Sequence, residues 1–573
     1  MAAVAPLIAP GALALRPPES LMTLERLGAL HATRLSFMRC LLRRMAAEGW
    51  QLSRPHFELD ARGVGEAVYQ VKGPKGRCSL AVFSHDLAPD KRSDRVIAEA
   101  WDATFALTRE APDQATLDRL KANVPRQEAG RCSANEWVLS RANKSVRLFD
   151  AVVAALAAGR QPQVAELVQV GYLMRTTAVY GNGKFGLADL ANTIGEDSLF
   201  HRPFEAEMLA VYLIREFTFD LVNHVARARS PGTAVALATD RRRALGIGNS
   251  TGLGMAPFLV VHPALLHHWI AARETAVARV CAQPAATPEA RAHFEGLLTR
   301  ARVHVGEWHT ADPRQSAAIE VLKAELGQLI AGLRAAPPWT APQPWRAILE
   351  RAQGCSHELQ GLVESLILEP HGDLVDDLAD HMAVREPRGL EPGANLASLK
   401  ATIERHYPWA LAMDFQDPAN QHYFWYYSEE KEEPRLGRRG IEPGEELEMR
   451  VAIARDVQAL HGVLSDPKLD LSMSVAAFLL AKPQWRFIAG RVQLIDAHPY
   501  GEVHDNLLAA HCIPVDLLRC KLSFFGAAKF DPKSDRWTRI AMYQGAPTFE
   551  ELDPTSAEDW AFPAFLGQGS GVV

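Results

Sequence analysis

Residues 245–268 read LGIGNSTGLGMAPFLVVHPALLHH, and the interpretation of the chain turns on them. Gly246, Gly248, Gly252 and Gly254 stand too close together for a regular element to continue, which predicts a loop opening onto an apolar helix. Glycine accepts positive φ and brings no side chain, so such a loop turns its N–H groups toward a ligand. Ser250 or Thr251 would cap the helix, and Pro257 suits its first turn. A helix start offers unpaired N–H groups and the positive end of a dipole, where phosphates and carboxylates bind. The candidate binding residues are therefore Gly246, Gly248, Asn249, Ser250, Thr251 and Gly252, with Arg241, Arg242 and Arg243 adding charge upstream.

The spacing GxGxxxG invites comparison with a dinucleotide fingerprint, whose first glycine directly follows a strand. Here the expected strand Thr233–Thr239 is followed by Asp-Arg-Arg-Arg-Ala, and the next acidic residue is Glu274 on an expected helix, which counts against NAD. A second glycine segment, Tyr180-Gly-Asn-Gly-Lys-Phe-Gly186, adds Lys184 as a mobile cation but lacks the phosphate-loop frame. Between the two segments, Phe204 to Val225 is apolar nearly all round and predicts a buried helix. His201 and Glu205 stand at its start, and with Tyr180 and His268 they are the candidate acid–base groups.

Working outward, 573 residues with 48% hydrophobic and 23% charged side chains are ample for several cores and exclude global disorder. A net charge of −6 provides no basic field for nucleic acid. The seven scattered cysteines lack CxxC spacing, as in reduced thiols of a cytoplasm. The apolar start is broken by Pro6 and Pro10 and reads as a flexible arm over residues 1–20. No run is long enough for a membrane span, so the expectation is a soluble cytoplasmic protein.

Residues 21–160 predict an α/β region. It has a helix over Leu21–Glu48, three strands (Gln51–Asp60, Glu66–Lys72, Arg77–Ser84) and helices at Ser93–Leu107, Gln114–Ala122 and Asn135–Ala158. Residues 161–335 predict a mainly helical region, with helices at Gln163–Met174 and Val260–Cys281 and two more over Pro288–Arg334. The proline-rich stretch 337–345 marks a linker. Residues 336–552 read as α+β, with strands at His422–Ser428, Trp485–Asp496 and Trp537–Tyr543, and 553–573 as a fraying tail. The fold class expected is thus α+β, helix-rich and multidomain, with small mixed or antiparallel sheets in the N- and C-terminal thirds.

Three further clusters carry chemistry. Arg435, Arg438 and Arg439 follow the aromatic run His422–Ser428, and aromatic walls beside guanidinium groups suit a planar anion. His498, Glu502, His504 and Asp505 are the densest metal-ligand set, yet match no defined zinc spacing, so no metal is expected. Asp376-Asp-Leu-Ala-Asp380 matches the DDxxD pattern that holds magnesium on diphosphates, without a partner motif downstream. Together these readings predict a metabolic enzyme that acts by acid–base chemistry on a small carboxylate- or phosphate-bearing molecule. The alternatives are a flavin- or nucleotide-dependent oxidoreductase that uses the glycine loop for the phosphate-bearing cofactor, and a non-catalytic ligand-binding or scaffold protein. Expected partners are the anionic small molecule and a possible second copy of the chain, with neither nucleic acid nor membrane.

Overall fold

Alternating apolar residues joined by tight glycine turns form a three-stranded meander, β1 (Gln51–Leu59), β2 (Gly65–Gly73) and β3 (Gly76–Ser84), as the sequence predicts. The computed structural model extends this meander into a nine-stranded sheet. It describes residues 14–92, 100–124, 133, 135–176, 199–200, 202, 204–252, 263–382, 390–417, 435–439, 446–450, 453–504, 519–520, 523–526, 530–534, 537–558 and 560–562. β4 (Ala103–Thr108), β5 (Glu136–Lys144) and β6 (Tyr172–Thr176) add in antiparallel order, β7 (Gly246–Gly252) lies parallel to β6, and two strands from the other end of the chain close the far edge. A separate ribbon, β8 (Arg435–Arg439) with β9 (Glu446–Arg450), stands apart from it. The closing strands are β10 (Phe530–Ser534) and β11 (Trp537–Met542), the latter antiparallel to β7. They join the N-terminal sheet instead of building a C-terminal one.

Three helices expected from the sequence are partly strand. Ala103–Thr108 is β4, Glu136–Lys144 is β5 ahead of a helix, and Tyr172–Thr176 is β6 behind one. Gly171 makes that last break at φ 85, where its N–H caps the preceding helix on Leu167 O and the chain turns into β6. Trp485–Asp496, expected as a strand, is helical.

Helices of nine or more residues are numbered in order: α1 (Phe37–Ala47), α2 (Gln114–Asn123), α3 (Phe149–Ala157), α4 (Glu205–Arg229), α5 (Pro263–Cys281), α6 (Pro288–Gly306), α7 (Pro313–Ala335), α8 (Pro344–Ala352), α9 (His357–Leu368), α10 (Leu396–His406), α11 (Ile453–Leu464) and α12 (Arg486–Ala497). α4 is buried over most of its length, as its apolar circumference requires. It lies on one face of the sheet, where Phe217 meets Tyr69 and Phe105 edge-on at 6.3 and 5.9 Å. Its fully buried Arg215 donates to the carbonyls of Leu245, Arg242, Ala546 and Pro547, tying the start of β7 to the turn after β11.

The buried apolar cluster is continuous from Leu21 to Phe562. The proline-rich stretch expected as a linker is packed into it: Trp345 is fully buried against Phe294 and His371. The expected tail also packs, with Trp560 stacked on Tyr543 and covered by Arg39. Among the described residues no helix is long and apolar enough to cross a membrane. Cys40, Cys78, Cys281, Cys355 and Cys520 are free thiols, and Cys132 and Cys512 lie outside the described residues.

Candidate functional site

From Gly246 to Gly252 the glycine stretch is a strand, not a loop, and Gly254 and Pro257 lie outside the described residues. Residues Gly246–Gly252 form β7, which pairs with β11 from Ile247 to Gly252 and with β6 at Gly246 and Gly248. A strand's N–H groups are spent in its ladders and do not turn on a ligand. Neither Gly246 nor Gly248 adopts positive φ. They are needed for room: a Cβ on Gly246 would stand 2.2 Å from Met542 O, and one on Gly248 would stand 2.6 Å from the ring of Tyr172. Asn249 is fully buried, and its Nδ2 donates to Thr176 O at 3.1 Å while Oδ1 has no partner among the described residues. Ser250, Thr251 and Gly252 complete the strand, and their side chains lie outside the described residues. The expected strand Thr233–Thr239 is absent, and Thr239–Arg243 is a helical turn. Its arginines are each engaged by a carboxylate: Arg241 pairs with Asp240, Arg242 with Glu550 and Arg243 with Glu551.

Tyr180, Lys184 and His201 lie outside the described residues. The buried Glu205 takes both oxygens to Arg44 at 2.9 Å and accepts from the Arg202 N–H, so it joins α4 to α1. His267 and His268 sit on α5 and meet His498, the residue after α12, the three ring centroids 5.1 to 5.5 Å apart. Burial, then the two neighbouring imidazoles, push His267 down to about 3. Arg435 begins β8, and its side chain lies outside the described residues, as does all of His422–Ser428.

The metal sets are otherwise engaged. Glu502 is buried in a two-point pair with Arg491 and accepts from the Tyr407 hydroxyl, while His504 stacks on Trp409. Asp505 lies outside the described residues. No group of three ligand-type side chains able to hold a metal occurs among the described residues. In the DDxxD segment Asp376 pairs with Arg34 and Arg43, Asp377 with Arg279, and Asp380 with Arg202, so its charges bind arginines.

Beside the glycine strand the sheet gathers a different set. Thr104 pairs with Arg141 across β4 and β5, and Asn143 pairs with Arg175 across β5 and β6. Paired residues, and residues two apart on a strand, share a face. Thr104, Arg141, Asn143 and Arg175 therefore line one face, the one opposite that of Phe105, on which α4 packs. Arg175 is also the cross-strand neighbour of Gly248. Arg175 is 6% exposed, Thr104 is 1% exposed, and the Thr104 hydroxyl has no partner among the described residues. Arg141 lies over the ring of Trp101.

The edge of this face is charged. The Asn143 Oδ1 accepts from the Asp102 N–H at 2.9 Å, and the fully buried Asp102 carboxylate takes Arg92 Nε at 3.1 Å, with Lys144 Nζ at 3.8 Å. Burial lowers the Lys144 pKa, and Asp102 opposes the shift. The sequence carried one signal for this face, the two-residue period of Trp137, Leu139, Arg141 and Asn143. The helical reading of that segment hid it. Comparison of the chain with known protein families, curated proteins and solved structures found no match.

Proposed function

We propose that this chain is a metabolic enzyme that binds a small carboxylate- or phosphate-bearing molecule on the face formed by Thr104, Arg141, Asn143 and Arg175. The observation that carries the reading is the placement of two guanidinium side chains, an amide and a buried hydroxyl at adjacent register positions. Arginine forks match carboxylate and phosphate oxygens, and burial strengthens the attraction. The glycine strand contributes through Gly248 beside Arg175, while its backbone stays in the sheet. Asp102, two residues before Thr104, and Lys144, which alternation along β5 places on the opposite face but whose Nζ stands 3.8 Å from the Asp102 carboxylate, are the ionisable pair for the acid–base step; a lysine lowered by burial gives up its proton more readily.

The test is binding of a panel of carboxylates and phosphate esters to the full chain, by calorimetry and thermal shift, with native mass spectrometry of copurified ligand. Arg175→Gln and Arg141→Gln are each expected to weaken the best ligand by about ten- to a hundredfold, since a hydrogen bond to a charged group is worth about 1.5–3 kcal/mol. Lys144→Met should keep the ligand and lose turnover. Wild-type affinity in the Arg141→Gln/Arg175→Gln double variant would sink the reading.

A further inference from the structure

A cleft of about 250 Å³ opens among α5, α8, α9 and the segment 14–16, remote in sequence from the sheet face just described. Its inner wall carries two carboxylates with almost no exposure, Glu274 at 3% and Glu364 at 1%. Into them reaches Arg16, whose guanidinium meets Glu274 with two bonds of 2.6 and 2.7 Å and Glu364 with one of 2.5 Å. Glu364 is held from within by Arg26 and Arg273 as well, whereas Arg16 comes from the edge of the fold and its side chain is 36% exposed. The Tyr500 hydroxyl donates to Arg16 O at 2.6 Å and fixes the backbone of this strap.

Beyond the carboxylates the cleft floor is apolar, formed by Val277, Cys281 and Leu349, and its mouth carries Arg346 and Glu350. Burial pushes the Cys281 thiol up to about 11, so it serves as apolar lining. A buried carboxylate pair is costly unless a cation with matching geometry satisfies it, and a guanidinium does so in two-point fashion. The volume beyond the Arg16 head is that of a small organic body.

We infer that this cleft is a second ligand site, for a small molecule with a guanidinium or primary ammonium head on an aliphatic stem, and that Arg16 occupies its carboxylate end in cis. Ligand and strap compete for Glu274, so binding releases segment 14–16 from α5. Arg346 and Glu350 at the mouth take the polar far end of the ligand. The inference is independent of the anion reading of the sheet face.

Agmatine and methylguanidinium are the probes, titrated into the full chain by calorimetry and thermal shift. Arg16→Ala should bind agmatine at least tenfold more tightly than the wild type does, because the competing head is gone. It should also prefer agmatine to methylguanidinium at least tenfold, because the stem fills the apolar floor. Glu274→Gln in the Arg16→Ala background should abolish both. Ala278→Trp, which fills the cleft and leaves the ion pairs in place, should remove agmatine binding from the otherwise wild-type chain. Equal affinity for the two probes would reduce the pair to a structural ion pair and overturn the site. So would a folded Arg16→Ala chain that gains nothing for agmatine. If Arg16→Ala does not fold, agmatine binding that is the same in the wild type and in Ala278→Trp decides against it.

Discussion

Gly248 is the residue at which two physical readings of one glycine diverge. In a loop it would be chosen for φ, and a larger side chain would cost about 1–2 kcal/mol of backbone strain whatever its size. In β7 it is chosen for the ring of Tyr172, which occupies the space a Cβ would take at 2.6 Å, and a ring anchored in the core at 2% exposure does not swing aside. Gly248→Ala should therefore cost about 1–3 kcal/mol by overpacking, and Gly248→Val on the order of 4 kcal/mol or more. Urea denaturation measures both. Introducing Tyr172→Leu should return much of the loss in Gly248→Ala, since the two residues share one space and their effects are not additive. If Gly248→Val unfolds at the wild-type urea midpoint, the strand packing described here is wrong. The same logic applies to Glu205: a carboxylate at the head of a buried helix has to be paired, and Arg44 pairs it.

Among elements, what could be read in the sequence follows the range of the forces that make each one. The hairpin over Gln51–Ser84 and the buried helix after Phe204 are set by local patterns, alternation around a glycine turn and apolar residues all round, and both stand where the sequence places them. β4 and β6 are short and largely apolar, a pattern that a buried helix shares, and the nine-residue β5 runs on toward a true helix, so the sequence predicts helix across all three. β7 was unreadable for a stronger reason: its glycines depress strand propensity, and its partner β11 lies almost three hundred residues downstream. The candidate face is a matter of register among those same strands, so it was hidden with them. Arg215 is the device that secures the long-range pairing. Four carbonyl oxygens from two distant parts of the chain depend on its five donors. Arg215→Lys keeps the charge but supplies a single point, leaving buried carbonyls unpaired at about 1–3 kcal/mol each. A loss of roughly 3–5 kcal/mol is expected, with hydrogen exchange accelerated first in β7 and β11. Uniform exchange across the sheet at unchanged stability would show that the pairing does not depend on this clamp.

At the scale of the whole molecule, buried titratable groups set the pH at which the chain is most stable. Burial, reinforced by neighbouring imidazoles, holds His267 at about 3; burial also holds His371 at about 4 despite the nearby Asp373. Both are neutral when folded, and in the unfolded chain both take a proton below about 6.5. Their contribution is therefore whole above pH 6.5 and drains away as pH falls toward 4 and 3. Glu216 acts in the opposite sense. Burial raises it to about 7 although Arg215 opposes the shift, so it is protonated when folded, whereas the unfolded chain releases that proton near 4.5. Its contribution is lost as pH rises from about 4.5 to 7. Between 4.5 and 6.5 these two histidines, joined by His31 and His85, which burial also lowers, outweigh one glutamate, and stability should fall on acidification by about 1.4 kcal/mol per pH unit or more, the value of at least one proton. Below 4.5 the fall should steepen, because Glu358, which burial alone would raise, is held at about 2 chiefly by Arg519 and must then be protonated. The maximum lies near pH 6.5, and urea midpoints measured from pH 4 to 8 locate it. Glu216→Gln removes the opposing proton: the variant should gain up to about 3 kcal/mol on the wild type at pH 8 and lose stability more steeply between 6.5 and 4.5, by about 1.4 kcal/mol per pH unit more than the wild type. A wild-type chain that grows more stable from pH 6.5 to 5 would mean that its imidazoles are charged in the fold and that the packing around His267 and His371 is not as described.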